Sequence, residues 1–371
     1  MALKKFAFKV LKKDNFSRTG IIETHRGNIH TPAFMPVGTQ ATVKACTIND
    51  IKKTGSEIIL GNTYHLMIRP GADRIKSIGG LHEFMNCSLP ILTDSGGFQV
   101  MSLSKLRKIS EEGVKFQSHI DGTSYFLTPE NVIDYQNIIK SDMQMVLDEC
   151  IQYPENYTNV KKAMELSLRW AERSRNYYLK KKNEIYGAQF GIIHGGVHED
   201  LREVSINETT QFDFEGYALG GLAVGEGHMK MIEVVNYTAP QLPENKIRYL
   251  MGVGRPIDIV EAVYRGVDIF DCVIPTREGR HGLAYIGNKS INLRNSKFED
   301  DYSPLDEKSE YFVSSKYSKS YLNHLLKIKD PLGSMLISLH NLNFYYNLMQ
   351  NMRKAIDRGI FEDFRAEFLR N

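Results

Sequence analysis

The sequence predicts an α/β protein: a (β/α)8 barrel of the TIM type, with an N-terminal antiparallel cap and a small inserted subdomain near its C-terminal end. Three observations predict it. Eight short, nearly continuous apolar runs recur along the 371-residue chain, as expected of parallel strands buried on both faces. Stretches with helical spacing lie between them, and strand–helix alternation of that length is the pattern of a closed barrel. Polar residues and glycines gather where the runs end, and in a barrel those ends share the face on which active sites form.

Taken in order, Phe6-Ala7-Phe8-Lys9-Val10 alternates, and Gly20-Ile21-Ile22-Glu23-Thr24 leads through Arg26-Gly27-Asn28 into a further run, which makes residues 1–30 an antiparallel cap. The barrel is expected over 31–282. Its runs are Ala33–Met35, Glu57–Leu60, Pro90–Thr93, Gln144–Leu147, Gln189–Ile193, Gly216–Leu219, Arg248–Met251 and Asp268–Phe270. Pro129 and Pro256 open two of the intervening helices, where a first-turn proline is well tolerated. From Leu283 the rhythm stops, and 283–339, rich in Lys, Ser, Tyr and Asn, reads as an inserted subdomain. Residues 340–371 supply a closing helix, His340 to about Arg358.

Bulk properties narrow the function. The net charge of +3 permits nucleic-acid binding without arguing for it, so any basic surface must be local. No apolar run is long enough to span a membrane, and Met1–Phe6 lacks a signal-peptide core, so a cytoplasmic protein is expected. Cys46, Cys87, Cys150 and Cys272 are scattered, which offers neither a disulfide framework nor a thiolate metal site.

Two strand ends carry acids suited to chemistry at a sugar carbon. Asp271 closes its apolar run just before Pro275, where the chain is expected to break into a loop crowded with Arg277, Arg280 and His281. A carboxylate there can attack an electrophilic carbon, and the basic loop can hold phosphates; alternatively Asp271 pairs with Arg277. Asp94 heads Asp94-Ser95-Gly96-Gly97-Phe98-Gln99 and can move protons beside a closely approached ligand, or else cap the next helix. Together they suit a nucleophile with a separate acid/base. Asp148 can accept two N–H bonds from a purine-like edge, or be tied to backbone amides. His194 can donate or accept in such a pocket, or hold structure. Cys150 is a packing residue. The glycines around Gly221 and Gly252 do not form a dinucleotide fingerprint, because Ile257 stands where the third glycine belongs.

In combination these stretches resemble the bacterial tRNA-guanine transglycosylases, or queuine tRNA-ribosyltransferases. The likeness is carried by Phe34–Thr39, Gly61–Leu66, Leu92–Val100, Gly220–Glu226, Tyr249–Gly254, Phe270–Val273 and Pro275–Arg277. It implies a barrel enzyme, usually a homodimer, that replaces the wobble guanine of GUN-anticodon tRNAs (those for aspartate, asparagine, histidine and tyrosine) with a free 7-deazaguanine, without ATP or a redox cofactor. It implies Asp271 as nucleophile and Asp94 as general acid/base. Asp148, His194, Gly221, Leu222 and Met251 fall at base-pocket positions, with Phe98 stacking on the base. Asn62 falls near the ribose, and Arg277 and Arg280 in the tRNA-contacting region. Val224 matches the bacterial form of the pocket beside the 7-substituent, which favours 7-aminomethyl-7-deazaguanine and leaves queuine open.

The chain departs from the family pattern twice. Where the family's appended subdomain binds zinc through three cysteines and a histidine, this chain has Ser309, Tyr311, Ser314 and His340. One ligand cannot hold structural zinc, so no metal is expected, and Tyr311, Phe312, Val313, Tyr317, Tyr321, Leu322 and Leu325 are expected to pack instead. The other departure is His194, where the family usually has Gln. Two other readings remain: a non-catalytic tRNA-binding partner subunit, and an unrelated barrel glycosidase.

Overall fold

A computed structural model describes residues 6–103, 106–287 and 289–370; the first five residues of the expected cap, and the last of the expected closing segment, lie outside them. The chain opens with an antiparallel sheet of β1 (Ala7–Asp14), β2 (Ser17–Thr24) and β3 (Gly27–Thr31). Arg18 on β2 fastens this cap through a bidentate pair with Asp268, at 2.8 and 2.6 Å, both residues being buried. Asp268 sits where the eighth barrel strand begins, so the cap lies at the strand starts, away from the acids at the strand ends.

The barrel begins with β4 (Ala33–Gly38), β5 (Ile59–Asn62) and β6 (Ile91–Asp94). An excursion follows, a three-stranded antiparallel sheet of β7 (Arg107–Ile109), β8 (Val114–Gln117) and β9 (Ser124–Leu127). The barrel then resumes with β10 (Met143–Met145), β11 (Ala188–Ile193), β12 (Gly216–Leu219), β13 (Ile247–Leu250) and β14 (Ile269–Cys272), and β14 pairs back onto β4 to close it. Each of the eight apolar runs is thus a barrel strand. The reason is burial: every residue of β4, β5, β6, β10, β11, β12 and β13 is buried, so neither face can carry polar alternation. The excursion was not anticipated, although Val114-Lys115-Phe116-Gln117 alternates buried and exposed and so carried a strand signal.

Two local expectations are corrected. Pro275 does not break the chain into a loop: Ile274–Arg280 is a helix, with the proline in its first turn, where a missing N–H costs nothing. The closing helix begins at Pro331 rather than near His340 and runs to Arg358, with Asp330 capping the Leu332 amide; a second helix, Phe361–Arg370, follows it. The short helix and the long one pack closely at Gly279, where an added Cβ would come within 2.7 Å of the Ser338 backbone. Asn341 of the long helix donates to the carbonyls of Pro275 and Leu283, both at 2.9 Å.

The inserted region forms a hairpin, β15 (Leu283–Ile286) and β16 (Lys289–Asn292), with helices at Phe312–Lys316 and Lys319–Lys327. Its own apolar core includes Ala284, Leu293, Leu305, Val313, Leu322, Leu325 and Leu326, sealed by Leu336 and Ile337 of the long helix. Tyr311 and Tyr317 pack against that core, whereas Phe312 and Tyr321 are 44% and 40% exposed and do not belong to it. The positions expected at a zinc site do not fit the ion. His340 donates from Nε2 to the Tyr285 carbonyl at 2.7 Å and receives the Ser314 hydroxyl on Nδ1 at 2.8 Å, so both ring nitrogens are taken. Burial also pushes the imidazole's pKa down, keeping it neutral.

Candidate active site

The strand ends converge as a barrel requires. Asp94 ends β6 opposite Asn62, the last residue of β5. Asn62 Nδ2 donates to Asp94 Oδ2 at 2.5 Å and the Thr63 amide donates to Oδ1 at 2.9 Å. The Asp94 carboxylate is therefore held from the neighbouring strand and does not cap the helix after it. Burial pushes its pKa up to about 6, against the donors Asn62, Thr63 and Gln99, and the negative charge of Asp271 adds to the rise. An acid poised near 6 can give and take a proton close to neutral pH.

Asp271 lies in β14, one residue beyond Phe270, the last fully buried position of that strand. Tyr249 of β13 donates its hydroxyl to Asp271 Oδ1 at 2.6 Å, and the Gly252 amide donates to the same oxygen at 2.8 Å. Arg277 does not take that place: the carboxylate is held by a buried phenol and a backbone amide. Burial raises the Asp271 pKa while these two donors lower it. Tyr249 itself is buried, and its phenol is pushed far up by burial and then by Asp271. It is a hydrogen-bond donor here, not an acid.

A third acid completes the set. Asp148 follows β10, and side chains hold its carboxylate: Ser95 Oγ donates to Oδ1 at 3.0 Å, and His194 Nε2 lies 3.0 Å from Oδ2. The loop after β6 approaches it so closely that a Cβ on Gly97 would lie 2.6 Å from the Asp148 carbonyl oxygen. His194 is buried at the end of β11, its amide bonded to Ser205 Oγ at 3.0 Å. Its ring rests on Gly220 and Gly221, where a Cβ would come within 3.1 and 3.3 Å of it. Arg202 braces this corner from the helix Glu199–Gln211, donating to the carbonyls of Gly196, Ile193 and Gly220 at 3.0, 2.9 and 2.8 Å.

The remaining expected residues distribute as follows. Leu222 is buried beyond Gly221 and Met251 is partly buried just past β13. Phe98 is 48% exposed on the helix Gly97–Leu103. Arg277 is exposed and Arg280 half-buried, with burial lowering the Arg280 pKa. Burial raises the Cys150 thiol, which suits packing rather than nucleophilic attack. Sequence reasoning gave no role to Tyr249, the Gly252 amide, Thr63, Ser95 or Arg202. Thr63, Ser95, Tyr249 and Gly252 lie inside stretches that carry the family likeness, but Arg202 carries no linear signal, being a helix arginine among many.

Comparison with known proteins bears on what this constellation does. A family model described as Queuine tRNA-ribosyltransferase matches residues 14–371. The queuine tRNA-ribosyltransferase of Caulobacter vibrioides is 53% identical over 364 residues, covering 98% of this chain and 97% of that protein. Those of Rickettsia massiliae and Rickettsia typhi are 53% and 51% identical over 362 residues, covering 98% of this chain and 99% of each relative.

Proposed function

The chain belongs to the queuine tRNA-ribosyltransferase family, and from that premise we propose that it exchanges the wobble guanine of GUN-anticodon tRNAs for a free 7-deazaguanine, in queuosine biosynthesis. Asp271 is the nucleophile. Both of its described hydrogen bonds fall on Oδ1, so Oδ2 is the oxygen that attacks C1′ of the target nucleotide. The C1′–N9 bond breaks, guanine leaves with its electron pair, and Asp94 supplies the proton. A C1′–Oδ2 ester then links tRNA to enzyme. The incoming base attacks C1′ through its ring nitrogen, gives its proton to Asp94 and displaces Asp271, and two inversions retain configuration. The single observation that carries this reading is the pairing of two strand-end acids in different states of support: Asp271 held by two donors on one oxygen, Asp94 buried and raised to about 6.

Asp148, His194, Gly221, Leu222 and Met251 form the base pocket, with Phe98 stacking on the base from its exposed helix. Asn62 positions Asp94 and lies beside the ribose. Arg277, and to a smaller extent Arg280, contact the tRNA backbone. The base must leave the anticodon stack to reach this face. The incoming base is 7-aminomethyl-7-deazaguanine in preference to queuine, the enzyme works as a cytoplasmic homodimer, and it needs no zinc or other cofactor. The last point is supported by His340, both of whose nitrogens are engaged within the fold.

Incubating tRNA with radiolabelled guanine tests the reading. Label should enter tRNA, and a covalent tRNA–protein band should survive a denaturing gel for wild type but not for Asp271→Asn. Tight tRNA binding without label exchange would instead mark a non-catalytic subunit.

A further inference from the structure

The imidazole of His194 is tied at one nitrogen and presented at the other. A carboxylate only accepts hydrogen bonds, so the 3.0 Å contact with Asp148 Oδ2 places a hydrogen on Nε2. In the neutral ring Nδ1 is then a bare acceptor. Nδ1 lies against Gly221, where an added Cβ would sit 3.3 Å from Nδ1 and 3.9 Å from an Arg202 guanidinium nitrogen. The same corner lines a small cavity together with Gly195, Gly196 and Val224. A base that donates its N1–H and 2-amino group to Asp148 carries its 6-oxo group next to N1. That oxygen is also an acceptor, and set against a neutral Nδ1 it would meet lone pair with lone pair.

We propose that His194 makes recognition of the base proton-linked: Nδ1 takes up a proton from solvent as a 6-oxo base enters, and donates it to that oxygen. The proposal rests on the reading of this corner as the base pocket and adds to it the state in which the pocket binds. The surrounding charges permit the step. Asp148, in direct contact, favours the cation. Glu149, the next residue, also attracts it, and its own carboxyl is pushed up by burial and pulled back by His194. Arg202 opposes it from behind Gly220, but three backbone carbonyls share its charge. Glu226 bonds the amides of Ala223 and Val224 and is held facing that loop. The Cys150 thiol stays neutral, and His198, at the cavity's lining, bears on the imidazole only if it is itself charged.

The test measures binding of radiolabelled guanine by equilibrium dialysis at pH 6, 7 and 8, with proton uptake measured by calorimetry in two buffers of different ionisation enthalpy. All proteins carry Asp94→Asn, because that carboxyl also titrates near pH 6. Where the free imidazole is neutral, affinity should fall about tenfold per pH unit and one proton should enter with each guanine. In His194→Gln the affinity should be flat with pH and proton uptake should vanish. Calorimetry on the protein that retains His194 needs no pocket variant, and zero uptake there at pH 7 and 8 would overturn the proposal. Equal pH slopes with and without His194 would do the same. Failure of guanine to bind at any pH, with or without His194, would refute the base-pocket reading itself and the proposal with it.

Discussion

Tyr249→Phe isolates the support of Asp271, the proposed nucleophile. The phenol is buried and donates to Asp271 Oδ1 at 2.6 Å, so the change removes one hydroxyl and leaves the ring packing intact. A hydrogen bond to a charged group contributes about 1.5–3 kcal/mol, and 1.4 kcal/mol is tenfold in rate. The carboxylate keeps only the Gly252 amide, at 2.8 Å. Losing a donor that favours the charged form raises the Asp271 pKa further, so activity should begin to fail at higher pH as pH falls. Covalent adduct formation should slow by roughly 10–100-fold at pH 6, with the ratio of variant to wild type recovering toward pH 8. Single-turnover adduct formation on denaturing gels, run across that range, measures it. A ratio near one at every pH would show that Tyr249 neither orients nor tunes the nucleophile.

The two half-reactions should respond oppositely to pH, because a carboxyl raised to about 6 is an acid below that value and a base above it. Adduct formation should fall as pH rises through about 6, adduct discharge to guanine should rise, and Asp94→Asn should slow both while sparing tRNA binding; parallel profiles for the two steps would refute the assignment. Neutralising exposed Arg277 or Lys316 should each reduce the salt slope of tRNA affinity by about one unit. Lys319 should matter less, since its ammonium already meets Ser303 at 2.7 Å and Asp301 at 3.4 Å; an unchanged slope after removing all three would move the phosphate track elsewhere. Chelators should change neither activity nor thermal midpoint, whereas Ser314→Ala should destabilise the subdomain by about 1–3 kcal/mol by leaving His340 Nδ1 unpaired. One tightly held zinc per chain in elemental analysis would contradict the first of these outcomes.

The sequence alone determined the barrel and the face that carries the site. Parallel strands covered on both sides must be apolar throughout, so each left an unbroken run, and the polar residue ending a run such as Leu92-Thr93-Asp94 had to lie on the common face. Local chemistry was legible for the same reason: an acid next to glycines, or a proline at a helix start, acts over a few residues. Only the tertiary structure decided how each acid is held. Tyr249 reaches Asp271 across 22 residues of chain, His194 reaches Asp148 across 46, and Asn62 reaches Asp94 across 32. Hydrogen bonds of that kind depend on which strand lies beside which and on how far each side chain extends, and no linear pattern encodes them. The helix at Ile274–Arg280 was settled the same way, since Gly279 packs it on Ser338 of a helix that the local residues cannot foretell.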